Sequence, residues 1–527
     1  MNSLFSFLII IISCVLCAVT PTQAQDVHPH FPLNRDVKRR ENRALNLSDY
    51  PPLGIQIPVD HFNTSDNRTY NNRYWINDVY YKGSGPVFFF DVGEANAHPT
   101  AANCLDASSH PSNAVMALAK RFDGIVVIFE HRFYGESFPM PMNTTSGHAL
   151  DAGAYQYLNI EQALEDVVYF SNVFQHPNPR PFWSSLTPAR TPWVWIGGSY
   201  PGTRGAIMRI RNPEIIFATW ASSAPIETRI VDQVLMNGTK NEVLKLKTQL
   251  SNAIDPDMQS QAHESFGPTD PGLLEDVDVA RALESPLTGY QYYGLDVFLQ
   301  PFCDRMETMN STIDSSDNGI ALSHNISMAW SAFLVGIAGI HTDALSPLGI
   351  AGIFTNASSP FESIGPAEAI RSWLNQLCSE LCAFHCGNPK NPHTIQSRFM
   401  SIDTYQEYCN NTFPGILPSK PDVFKLNRYG GWRMNPSNTM WTAGELDPLT
   451  ALTPASTLED APGRRSVQMI PDAGMPPPDD EIFGIVHEGM VHAVDLSAGD
   501  GTEKAFNDSV SLFQKALAKW LPAFESH

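Results

Sequence analysis

The sequence of 527 residues predicts an α/β fold: a mostly parallel sheet joined by crossover helices and interrupted once by a long helical insertion. Three observations lead there. Short, nearly continuous apolar runs recur along the chain, as buried parallel strands require. Segments of helical period lie between them. From about residue 226 to 423 the strand-like runs thin out and helix-like segments take over. Hydrophobic residues make up 43% and charged residues 17%, which suits a folded protein with a large core, and the length calls for several domains or one domain enlarged by an insertion.

Taken in order, the chain opens with MNSLFSFLIIIISCVLCAVTPTQAQ, apolar from residue 4 to 19 and ending in small residues near Ala24. The run is shorter than the ~20 residues of a spanning helix and a polar stretch without stop-transfer charges follows it, so 1–24 is read as a cleaved signal peptide. The first part of the core, 25–225, holds the strand-like runs PVFFFDV (86–92), GIVVIFE (124–130), WVWIGG (193–198) and FATWASSA (217–224). Between them, Leu158, Ile160, Ala163, Leu164, Val167, Val168 and Phe170 share one face of a helix. The insertion, 226–423, includes SMAWSAFLVGIAGIH, which at about fifteen residues suits a buried helix better than a membrane span. The second part of the core, 424–527, contributes NTMWTAG (438–444) and RSVQMIP (465–471), followed by the proline-rich loop PDAGMPPPDDE.

Charge and side-chain chemistry narrow the function. A formal net charge of −21, with no basic run to offset it, excludes nucleic acid as a partner and suits a soluble protein working among neutral or acidic surroundings. Ten N-x-S/T sequons, at Asn46, Asn63, Asn67, Asn143, Asn237, Asn310, Asn325, Asn356, Asn410 and Asn507, fit passage through a glycosylating secretory pathway, ending outside the cell or in an acidic lumen. Removal of 1–24 takes Cys14 and Cys17 and leaves Cys104, Cys303, Cys378, Cys382, Cys386 and Cys409. An even set of six in an oxidising compartment points to disulfides, whose pairing the sequence leaves open. Cys378, Cys382 and Cys386 beside His385 lack the C-x-x-C spacing of a metal site, so no metal is expected.

The stretch WVWIGGSYPGTRGAIMR (193–209) carries the chemistry. An apolar strand climbs to two glycines, presents Ser199 and turns into a helix, the pattern of a nucleophile elbow that lifts Oγ clear of the sheet. Pro201 stands where G-x-S-x-G has its second glycine. A proline in the first helical turn lacks only an N–H that has no intrahelical partner, so it is allowed there, with Gly202 following. Serine becomes a nucleophile only with a histidine to take its proton and a carboxylate to orient that histidine. Asp447 follows the strand-like NTMWTAG, and IVHEGMVHAVDL supplies His492, with His487 as the second candidate base. Ser199, Asp447 and His492 thus occur in hydrolase order, each at an expected strand end.

These residues, with EHRFYGES (130–137), ASSAP (221–225), YGGW and GELDP (429–448) and HAVDL (492–496), make the chain resemble the prolyl carboxypeptidase and dipeptidyl-peptidase II family of serine peptidases, above all its secreted fungal members. The resemblance runs in order from about residue 60 to 496. It implies an α/β-hydrolase fold with an inserted, mainly helical cap domain, a peptide or protein substrate, and hydrolysis on the carboxyl side of proline by the triad, with no cofactor. It also implies an oxyanion hole made by the Tyr200 N–H and a donor near Gly93 and Glu94. Where many relatives have methionine and an aromatic residue walling the proline pocket, this chain has Thr203 and Leu449, a departure that bears on specificity before chemistry. The EHRFYGES run is read as an internal ion-pair network that shapes the floor of the site. A carboxylester hydrolase on the same scaffold and a non-catalytic secreted glycoprotein remain open alternatives, as do exo- against endo-cleavage and oligomeric state.

Overall fold

The computed structural model describes residues 47–105, 113–140, 152–229, 367–382, 401–499 and 501–525. The expected signal peptide and most of the expected insertion lie outside them.

The strands are β1 (Leu53–Pro58), β2 (Thr69–Asn77), β3 (Val87–Asp91), β4 (Ile125–Phe129), β5 (Trp193–Gly198), β6 (Ala218–Ser222), β7 (Thr439–Gly444), β8 (Arg465–Val467) and β9 (Glu481–His487). They form one sheet in the order β1-β2-β4-β3-β5-β6-β7-β9-β8. β1–β2 and β2–β4 pair antiparallel and every other pair is parallel. This is an α/β-hydrolase sheet. The central strands are closed to water on both faces: every residue of β4, β6 and β7 is buried. Their apolar runs are the ones legible in the sequence.

Side chains alternate between two packed layers. Val87 and Phe89 face a core with Leu164, Val167 and Phe170 of the helix Ile160–Val173, whereas Phe88 faces a core with Val115, Leu118 and Phe513. Helices therefore cover both faces: α1 (Ala97–Leu105), α2 (Ala114–Phe122) and the C-terminal Glu503–Trp520 on one, and α3 (Ile160–Val173) and α4 (Tyr200–Arg211) on the other. The caps follow local chemistry. Asn113 and Asn159 accept the Met116 and Gln162 N–H groups, satisfying donors that the first helical turn leaves unpaired. The Ile160 N–H donates instead to Glu380, within the expected insertion, at 2.8 Å.

Two helices lie within the described residues of the expected insertion. α5 (Ala367–Gln376) continues through a π turn to Leu381, and α6 (Ile402–Thr412) follows. Trp373, Leu374 and Leu377 pack into the same core as α3 and α4. Ser372 donates to the Phe133 carbonyl at 2.9 Å.

Candidate active site

β5, β6, β7 and β9 are adjacent and parallel, so their C-terminal ends meet on one edge of the sheet, where α/β folds place ligands. Ser199 lies between β5 and α4 with φ 59° and ψ −133°, a backbone conformation that costs about 1–3 kcal/mol and persists only where the surroundings enforce it. Two bonds do so. Its N–H donates to the Ser222 carbonyl at 2.7 Å and its carbonyl accepts the Thr203 N–H at 3.0 Å. Pro201 sits in the first turn of α4, and its carbonyl accepts the Trp195 indole N–H at 2.9 Å. The elbow therefore tolerates Pro201, and the ring lies over Gly93: a Cβ there would stand 2.2 Å from Pro201 Cγ, on a backbone already at φ +74°.

β7 delivers Asp447, and the segment after β9 delivers His492. His492 donates from Nδ1 to Asp447 Oδ2 at 2.9 Å, and both side chains are buried. Asp447 Oδ1 accepts the Leu449 N–H at 2.9 Å. The two loops are sewn together by Glu445 N–H to the His487 carbonyl and Leu446 N–H to the Met490 carbonyl, each 2.9 Å. Gly444 makes this possible, because a Cβ there would lie 2.3 Å from the Met490 oxygen. Ser199 and His492 line one cavity of about 20 Å³, with Phe90, Asp91, Thr100 and Leu496, which has room for a single water-sized group. An imidazole held by a carboxylate beside a strained serine is an arrangement able to activate that hydroxyl.

Behind the serine lies a buried ion pair. Arg204 of α4 donates to Asp91 Oδ2 at 2.6 Å, and the Gly93 N–H donates to the other oxygen at 3.2 Å. Burial pulls the Asp91 carboxyl upward against the attraction of Arg204. The EHRFYGES segment is an internal network, as read from the sequence. Glu130 accepts two bonds from Arg73 at 2.7 Å, one from Ser137 at 2.7 Å and one from the Ala97 N–H at 3.0 Å. Arg132 grips Asp166 through Nε at 2.6 Å and Nη2 at 2.5 Å. His131 donates from Nδ1 to the Arg132 carbonyl, so its Nε2, 3.2 Å from the Tyr200 hydroxyl, is the acceptor. Burial first, then the charge of Arg204, holds His131 well below the ordinary imidazole range, which keeps it in that neutral form. Burial likewise raises the Tyr200 phenol, keeping the donor protonated.

Other expected site residues lie elsewhere. His487, the second candidate base, ends β9 and bonds Ser509 at 2.7 Å; it does not line the cavity. Nor do Thr203 and Leu449: the buried Thr203 hydroxyl donates to the Pro225 carbonyl at 2.8 Å, and Leu449 is half-buried beside Asp447. Of the six cysteines expected in disulfides, four lie among the described residues. Cys378 and Cys409 form a disulfide, but Cys104 and Cys382 are free thiols. Both are buried, and desolvation pushes each up to about 12, so neither is a thiolate ready for oxidation. Cys303 and Cys386 lie outside the described residues. So do Asn46, Asn143, Asn237, Asn310, Asn325 and Asn356; the other sequon residues, Asn63, Asn67, Asn410 and Asn507, are exposed. Among the described residues no cluster of His, Cys, Asp or Glu is arranged to hold a metal, and no helix is long and apolar enough to cross a membrane.

The residues that sequence reasoning missed are backbone partners: Ser222, whose carbonyl holds the elbow, and Gly444, which lets two loops meet. Their only signal was their place at strand ends.

Compared with known proteins, residues 57–260 and 316–463 match the family described as serine carboxypeptidase S28. A probable extracellular serine carboxypeptidase of Arthroderma benhamiae is 25% identical over 489 residues, 83% of this chain and 64% of that protein's length. The serine protease vicPb of Bipolaris victoriae is 23% identical over 488 residues, 86% of each chain. The thymus-specific serine protease of Homo sapiens is 25% identical over 437 residues, 77% of this chain and 78% of that one.

Proposed function

Because the chain belongs to the serine carboxypeptidase S28 family, we propose that it is a secreted serine-type peptidase that cleaves on the carboxyl side of proline. Ser199 attacks the scissile carbonyl, and His492 takes its proton and passes it to the departing amine. Asp447 keeps the imidazole in the tautomer whose Nε2 accepts a proton. Water then resolves the acyl-enzyme by the same path in reverse. The observation that carries this reading is the 2.9 Å bond from His492 Nδ1 to Asp447, made by a histidine that lines the same cavity as Ser199.

The tetrahedral oxyanion is assigned to the Tyr200 N–H, at the start of α4 where the helix dipole also favours negative charge, and to the loop that follows β3. In that loop the Gly93 N–H is engaged with Asp91, which favours Glu94 as the donor. His131, bonded to the Tyr200 hydroxyl, steadies that residue from below. Secretion is supported by the leader-like 1–24, the exposed sequons and the extracellular designation of the Arthroderma relative.

A peptide panel with proline placed at each position in turn, incubated at acidic and neutral pH and read by mass spectrometry of the products, tests the specificity. Products ending in proline are expected, and their lengths separate exo- from endo-cleavage. Cleavage that ignores proline refutes the specificity and leaves the peptidase; turnover of carboxylesters alone refutes the peptidase.

A further inference from the structure

Ser222 and Ser223, at the end of β6, touch both halves of the proposed machinery. The Ser222 carbonyl accepts the Ser199 N–H at 2.7 Å, and its hydroxyl donates to Asp495 Oδ1 at 2.5 Å. Ser223 Oγ accepts the N–H of Ala493, the residue after His492, at 2.9 Å. The other Asp495 oxygen accepts the Ser509 hydroxyl at 2.7 Å. Since that hydroxyl donates to Asp495, the His487 Nε2–H is the donor in the 2.7 Å contact with Ser509. Ser222, Ser223, Asp495, Ser509 and His487 are all buried.

Two backbone outliers flank this cluster. Ser223 has φ 46° and Ala493 has φ 51°, left-handed conformations that a residue with a side chain holds only when its surroundings fix them. The cluster also contains a carboxylate whose one ion-pair partner among the described residues is His487, 3.7 Å away. Burial raises that carboxyl, but the influence of His487, Ser222 and Thr442 outweighs it and holds it below the usual range. A buried carboxylate kept ionised without Lys or Arg is a costly element for a fold to carry for packing alone.

We infer that Asp495 is a positioning residue: gripped by Ser222 and Ser509, it fixes the turn that carries His492 against the strand end that holds the Ser199 elbow. The inference rests on the catalytic reading of Ser199, Asp447 and His492. Asp495 does not line the cavity and touches no reacting atom. It acts by keeping two loops, 273 residues apart in the sequence, in one register. The role also accounts for His487, which serves as the outer donor of this cluster.

The test compares wild type, Asp495→Asn and Ser222→Ala on the peptide that wild type cleaves best, with melting temperature, fluorophosphonate labelling rate and the ¹³C-histidine resonance of His492 recorded for each. Asp495→Asn should lower kcat at least tenfold with KM changed less than threefold. Labelling should slow in step, and the His492 signal should move. Ser222→Ala should shift all of these in the same direction by a smaller factor, and it decides the matter by the same criteria if Asp495→Asn does not fold. A variant that melts earlier yet keeps wild-type kcat per folded molecule and an unmoved His492 signal overturns the inference. If wild type neither labels nor cleaves, the catalytic reading fails, and the His492 signal still decides whether Asp495 positions that ring.

Discussion

Asp447 divides its carboxylate between two tasks: Oδ2 accepts Nδ1–H of His492 at 2.9 Å, and Oδ1 accepts the N–H of Leu449, two residues along its own chain, at 2.9 Å. The second bond locks the acid so that the first has one direction. Asp447→Asn replaces the acceptor facing Nδ1–H with a group that can donate, and the imidazole then adopts the wrong tautomer. We expect kcat to fall by about 10³–10⁴ with the fold retained, measured as turnover per folded molecule alongside the melting curve. A fall of less than tenfold contradicts the assignment.

Gly444 sets how closely the acid loop and the histidine loop approach. A side chain there meets the Met490 and Val491 carbonyl oxygens at 2.3 and 2.4 Å. Gly444→Val should therefore push the His492 segment outward, slow modification of Ser199 by a serine-directed probe, and cost about 1–3 kcal/mol of stability, as overpacking does. Wild-type labelling in that variant would show that the contact is not what places His492.

Asp166 carries a prediction about acid. Burial alone would raise its carboxyl, but Arg132, with further bonds from His61 and Tyr70, holds it at about 2, against about 3.9 for an unfolded aspartate. Its folded value is depressed, so the stability it contributes is present above pH 4 and is lost as pH falls toward 2. Asp166→Asn leaves the fully buried Arg132 charge without its partner, at a cost of about 3–5 kcal/mol near neutrality. The gap in unfolding free energy between wild type and variant should be constant above pH 5 and shrink below pH 4. A gap that stays constant to pH 3 would contradict the assignment.

The sequence made the central sheet legible, because β3 to β7 are buried on both faces and read as unbroken apolar runs. It hid the margins. β2, written TYNNRYWIN, alternates between exposed and buried at its start, and Asn72 and Arg73 are buried in it through bonds to the Glu130 segment. β9 follows a proline-rich loop and includes Gly484, so its run is short and broken. Ser199, Asp447 and His492 stand out in the sequence as candidates because elbow chemistry and hydrolase order constrain residue types. Ser222, Gly444 and Asp495 were not, since their work is done by a carbonyl, by a missing side chain and by a carboxylate that reaches no substrate. The cysteine pairing stayed open for another reason: an even count says nothing about which thiols a folded core keeps apart.

The four described cysteines give a further test. Native protein treated with iodoacetamide should leave Cys104 and Cys382 unmodified, and unfolding without reductant should expose both while Cys378 and Cys409 stay linked. Cys409→Ser should lower stability by about 3–4 kcal/mol, the usual cost of opening a loop of this size. Peptide mass mapping reads the first result and denaturant titration the second; rapid native alkylation of Cys104 would contradict its burial.

The most direct test of the account is where a serine-directed fluorophosphonate attaches. The folded wild-type protein should carry one adduct, mapped by peptide mass spectrometry to Ser199, absent from Ser199→Ala and slowed at least a hundredfold in His492→Ala. A well-folded protein that takes up no probe, or one whose adduct maps to any other serine, contradicts the assignment of this cleft as a catalytic site.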